Sequence, residues 1–123
     1  NRILDIVKEK GVIILVAECP EGYGNETFYD WVRRFKSLSR VEREVRLRYT
    51  PGGEAAYYMM KASNRVRVIL VSVMPEYYSS AVFGLRSAET VNMALQSALR
   101  MVGRRRKVLV VPMGIATLPV VQK

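Results

Sequence analysis

Three apolar runs, Val12–Cys19, Val66–Met74 and Val108–Met113, constrain this chain more than any other feature. All three are rich in Val and Ile. None alternates between polar and apolar positions. A half-buried strand alternates, whereas a strand covered on both faces reads as a continuous apolar run. Helical patterns lie between the runs, and each crossover is long enough for a right-handed parallel connection. The expected fold is α/β and three-layer (Rossmann-like). It has a mainly parallel sheet of about three or more strands with helices on both faces.

The helical segments carry their own punctuation. Arg2 to Lys10 places Ile3, Ile6 and Val7 on one face, with Gly11 as a C-cap. Asn25 is expected to cap a helix through Phe28, Trp31, Val32 and Phe35, with Glu26 and Asp30 near its positive end. Leu38, Val41, Val45 and Tyr49 share the next apolar face. The opposite face pairs Arg40 with Glu44, Glu42 with Arg46, and Glu44 with Arg48, one turn apart. "TPGG" (50–53) stops that helix, and "EAAYYMMKAS" begins another. "MPEYYSSAVFG" reads as a loop. Ser87 is placed to cap the last helix, with Glu89 in its first turn and Val91, Leu95, Ala98 and Val102 inward. Gly103 ends it. Met59, Met60, Met93 and Met101 read as core filler.

Composition narrows the chemistry. The 123 residues suit one domain, residues 1–123. The chain begins at Asn1, which points to a processed chain or a piece of a longer one. No apolar run approaches the ~20 residues of a membrane span, and the expected location is cytoplasmic. There is one cysteine, Cys19, and no histidine. That excludes an intrachain disulfide, most zinc sites and the commonest general base. The formal charge of +9 favours anionic partners, or else reflects arginine laced into surface ion pairs.

In open parallel sheets, ligands bind beyond the carboxyl ends of the strands. Those ends are "CPEGYGNET", "MPEYYSS" and "PMGIATLP", each with a proline beside the strand end. The candidate cleft residues are Gly22, Tyr23, Gly24, Asn25, Tyr77, Gly114 and Thr117. Backbone N–H groups from Gly22 to Asn25 at a helix N-terminus suit a phosphate or carboxylate, although Glu21 and Glu26 oppose an anion. A tight strand-to-helix turn accounts for the same residues. The Gly-x-Gly spacing lacks the third glycine of a dinucleotide fingerprint, and no P-loop lysine follows. Gly114 is expected at positive φ. "GRRRK" (103–107) falls at the opposite edge, where its cations can neutralise the preceding helix dipole. It lacks the interleaved aromatics of an RNA-binding surface.

"GVIILVAECPEGYGNETFYDW" resembles the C-terminal domain of the nickel-dependent lactate racemase family, whose members act on 2-hydroxy acids. The family's strand, acidic Gly-x-Gly turn and aromatic helix start correspond to Gly11, Ala17, Glu21, Gly22, Gly24, Phe28 and Tyr29. The resemblance continues through "GGEAAYYMMKA", "VILVS", "SAETVNMALQSAL" and "VLVVPMGIATLPV". It implies a two-domain enzyme. The N-terminal domain would hold a nickel pincer nucleotide attached through lysine, with histidines that bind nickel and move the substrate's proton. The cofactor would accept a hydride from a small 2-hydroxy acid and return it to either face. The C-terminal domain would close the cleft, with a catalytic glutamine and lysine upstream of this chain. Alone it would bind no cofactor and be inactive, and the missing N-terminal catalytic domain would be its partner. The family often carries a Trp or His ring at the start of the small-residue helix. This chain has Glu54, which either faces the cleft or simply begins a helix. The readings set against this one are a stand-alone module binding a small anion, and a basic nucleic-acid-binding domain. Phosphate neutralisation by Arg104, Arg105 and Arg106 would give the last a steep salt dependence.

Overall fold

The computed structural model describes residues 3–120. Its element order is α1 (Ile3–Ile6), β1 (Val12–Val16), α2 (Glu26–Arg34), α3 (Leu38–Leu47), α4 (Gly53–Arg65), β2 (Arg67–Val71), α5 (Tyr77–Val82), β3 (Arg86–Ala88) and α6 (Val91–Val102). Arg2, where the sequence pattern begins the first helix, lies outside the described residues.

Two of the three apolar runs become strands. β1 and β2 pair in parallel, Val12 opposite Arg67 through Val16 opposite Val71. The third strand is not Val108–Met113. It is the short β3, parallel to β2 with Ile69 opposite Arg86. The sheet order is β1-β2-β3, so β2 is central. Burial follows: Ile69, Leu70 and Val71 are all buried, as a central strand requires. β3 escapes an apolar search because it lies at an edge and reads Arg-Ser-Ala. Residues 107–111 pair with no strand among the described residues. Val108, Leu109 and Val110 are 58, 67 and 75 % exposed.

Helices cover both faces. On one, Ala94 and Ala98 of α6 pack on Ile69 and Val71, with Val12, Ile14, Ala88 and Met101 around them. The two small residues let α6 lie close to the sheet. On the other, α2 and α3 pack on α4, and α4 packs on β2. A second core joins Val32, Ala56 and Phe83, walled by Phe28, Tyr29, Trp31 and Met59. Val41 anchors α3 with no exposed surface.

Several local expectations shift. The segment after β2 is not a loop but a π-helical turn, α5, in which Phe83 N–H reaches Tyr78 O at 2.9 Å. Ser87 does not cap the last helix. It sits in β3 and hydrogen-bonds Ser79, while Thr90 caps α6 by accepting from Met93 N–H at 3.2 Å. Glu89 therefore precedes the helix. Near Gly11 the positive φ, 61°, belongs to Lys10. Tyr49 and Met93 are 73 and 50 % exposed, so neither fills the core. Of the one-turn ion pairs, Glu42–Arg46 closes at 2.8 Å and Glu44–Arg48 at 3.6 Å, both at the surface. Arg40 and Glu44 form no ion pair among the described residues.

No described helix is long and apolar enough to cross a membrane. Gly103 ends α6 at φ 96°, and Arg106 Nε donates to Val102 O at 2.8 Å, satisfying a free helix-end carbonyl.

Candidate functional site

Three segments meet at the carboxyl edge of the sheet. The first follows β1. Glu18 O accepts from Ser72 Oγ at 2.8 Å and from Val73 N–H at 3.2 Å, tying the exits of β1 and β2 together. Cys19 takes φ 50°, rare for a residue with a Cβ. The chain then turns twice through positive φ, at Gly22 (71°) and Gly24 (73°). Gly22 N–H bonds Cys19 O at 3.0 Å, and Asn25 N–H bonds Tyr23 O at 2.9 Å. Two N–H groups of this segment are thus already held within the turn. Asn25 Oδ1 accepts from Phe28 N–H at 3.0 Å and caps α2.

The second segment is the start of α4. Gly52 sits at φ 95° directly against Asn25: a Cβ there would lie 2.3 Å from Asn25 Oδ1. Gly53 meets the Trp31 ring, where a Cβ would lie 2.6 Å away. The two glycines let α2 and α4 begin side by side. Glu54 turns back on its own helix start, and its carboxylate accepts from Gly52 N–H at 3.0 Å. This is the helix-initiating role open to an acid at that position.

The third segment is α5. Tyr78 leans on Tyr23 at 5.2 Å and on Tyr29 at 6.0 Å between ring centroids. Tyr23 stacks on Tyr29 at 4.4 Å. Tyr77 packs against Tyr78 at 5.4 Å and is 62 % exposed. The Tyr23 hydroxyl donates to Glu26 Oε1 at 2.8 Å. That hydrogen bond, more than partial burial, raises the Tyr23 pKa above its ordinary 10.0, because ionisation would set a phenolate beside a carboxylate.

The structure thus brings Gly22, Tyr23, Gly24, Asn25, Glu54 and Tyr77 to one edge. It does not bring Gly114 and Thr117 there. Both lie in the exposed segment after α6, and Gly114 has no positive φ. Sequence reasoning placed Tyr78 beside Tyr77 at the cleft mouth, but it read Gly52 and Gly53 only as a helix stop and Tyr29 only as part of a helix start. The paired glycines were the available signal, since one suffices to stop a helix and the second needs a packing reason.

The edge carries tyrosine hydroxyls and turn amides but no assembled acid–base machinery. Among the described residues, no group of three or more His, Cys, Asp or Glu is placed to hold a metal ion. The residues present therefore do not fit a nickel centre of their own.

The profile of the lactate racemase C-terminal domain family matches residues 5–119. The chain belongs to that family. The lactate racemase of Thermoanaerobacterium thermosaccharolyticum is 28 % identical over 115 residues, which is 90 % of this chain and 27 % of that protein. The solved structure of the lactate racemase apoprotein from the same organism superposes with a TM-score of 0.69 at 27 % identity. The match covers 83 % of this chain and 25 % of that one. The chain spans about a quarter of the length of these relatives, in their C-terminal domain.

Proposed function

We propose that these residues form the cleft-closing C-terminal domain of a two-domain racemase or epimerase acting on a small 2-hydroxy acid, with a nickel pincer nucleotide held by the N-terminal domain. The observation that carries this reading is the family match over residues 5–119 in a chain equal to only 27 % of a lactate racemase. The chemistry of the edge agrees. The chain has no histidine and no metal-ligating cluster among the described residues, which is compatible with a cofactor held by another domain. What it offers is an aromatic wall, Tyr23, Tyr29 and Tyr78, flanked by the two helix starts of α2 and α4.

Glu54 bears on the substrate. Its carboxylate is engaged by Gly52 N–H, so it is oriented along the helix start. Committed to the helix start, that carboxylate does not stand free against an anionic substrate, and lactate is assayed beside other 2-hydroxy acids. The test is racemisation by the full-length protein of a panel of enantiopure 2-hydroxy acids, read by chiral chromatography. Activity is expected with cofactor-loaded enzyme and should vanish after nickel removal. The isolated 123-residue segment should show none. Racemisation that continues unchanged without nickel would overturn the reading.

A further inference from the structure

Among the described residues, neither the apolar segment after α6 nor the outer edge of β1 has a partner strand, and the two are complementary in position. β1 reads Val-Ile-Ile-Leu-Val, with no proline or charge to blunt its edge. Arg67 N–H bonds Gly11 O at 2.9 Å, and Ala17 N–H bonds Val71 O at 3.1 Å. Residues of a parallel strand turn alternately to one neighbour and the other. The odd-numbered residues of β1 therefore serve β2. The N–H and C=O groups of Val12, Ile14 and Val16 face the open edge. Leu15 and Val16 are 49 and 60 % exposed there.

Handedness indicates where a strand following α6 must lie. The crossovers from β1 to β2 and from β2 to β3 run over the face of α4 and α5, and α6 covers the opposite face. A right-handed parallel crossover over the opposite face moves across the sheet in the opposite direction. From β3 that direction leads back over β2 and β1. Those positions are taken, and the nearest vacant one is the free edge of β1. α6 already packs on β1 as well as on β2 and β3. Its last turn lies at the correct end of the sheet: Met101 O accepts from Arg67 Nη1, at the start of β2, at 3.5 Å. Gly103–Lys107 then supplies five residues, within the ~2–6 common for such loops.

We infer that residues 108–111 add to the free edge of β1 as a fourth parallel strand, giving the order β3-β2-β1-β4 and converting an exposed strap into a closed sheet edge. The inference goes beyond the racemase reading and stands without it. Closure carries Met113–Thr117 to the carboxyl edge beside Cys19–Asn25. The order in which strands are added across the sheet reverses between β1 and the new strand, and that is where open α/β sheets form their ligand crevice. Gly114 and Thr117 would then join the edge cluster from which they are now separate.

The test is hydrogen–deuterium exchange by mass spectrometry on the full-length protein, following peptides that cover residues 12–17 and 108–111. Both are expected to exchange at least about a hundredfold slower than a free chain. Leu109→Pro or Val110→Pro, whichever removes an N–H facing β1, should strip protection from both peptides while residues 57–65 of α4 keep theirs. Free-chain exchange of 108–111 in the unmodified protein would overturn the inference. So would proline variants that leave 12–17 protected, because another domain would then be covering that edge. Protection that disappears on dilution would also overturn it, since the occupant would be a second copy. If the proline variants fail to fold, Ile14→Cys combined in turn with Leu109→Cys, Val110→Cys or Val111→Cys, in a Cys19→Ser background, decides instead. An intramolecular disulfide in the monomer supports closure, and none at any position overturns it.

Discussion

Gly52→Ala tests the joint on which the candidate edge depends. Two effects add. Gly52 sits at φ 95°, where a Cβ costs about 1–2 kcal/mol. The new Cβ would also lie 2.3 Å from Asn25 Oδ1, so Asn25 must leave Phe28 N–H. Loss of that cap costs about 1 kcal/mol. The restricted unfolded chain returns about 0.4–1 kcal/mol. The net expectation is a loss of about 2 kcal/mol. Denaturant unfolding should show it as a lower midpoint at unchanged slope. The double-mutant cycle with Asn25→Ala is sharper. Asn25→Ala alone should cost about 1 kcal/mol. With the amide gone, Gly52→Ala keeps only its backbone strain, so the two losses should fall short of additivity by about 1 kcal/mol. Strict additivity would refute the contact between the two helix starts. A Gly52→Ala effect under about 0.5 kcal/mol would refute the strain as well.

Two further outcomes follow from burial and from charge. Ile69→Ala removes a 1 % exposed side chain under α6 and should cost about 2–5 kcal/mol, whereas Ile115→Ala, at a fully exposed position, should stay within about 0.5 kcal/mol in the same unfolding assay. Tyr23 should ionise above 10.0 in an ultraviolet titration, and Glu26→Gln should lower it toward that value; because the folded pKa is the raised one, the interaction's contribution is complete below pH 10 and fades as pH climbs through the folded pKa.

The parts legible in the sequence are those whose signals are local. Asn25 names itself as a cap because a short polar side chain precedes an amphipathic stretch, and Gly103 ends α6 at the positive φ that only glycine adopts freely. β2 is legible because a central strand must be apolar on both faces. β3 is not, because its edge position and the Ser87–Ser79 hydrogen bond remove the demand for apolar side chains. The segment 108–111 has the composition of a buried strand without a partner in the structure, since pairing is set by topology and not by residue type. In the candidate site, the glycines of the first turn were legible. The tyrosine wall was not, because Tyr23, Tyr29 and Tyr78 come from three segments and only the fold makes them neighbours.

Trp31, lodged against Gly53, is the chain's single tryptophan. The indole therefore reports on one joint, the line where α2 meets α4, and not on the sheet. The core under α6 contains no aromatic side chain, so it is dark in the same spectrum. A fluorescence trace of this domain follows the edge where a substrate would be enclosed. Circular dichroism follows the whole backbone. Wherever the two curves part, the separation measures how independently the joint between α2 and α4 moves from the sheet that carries it.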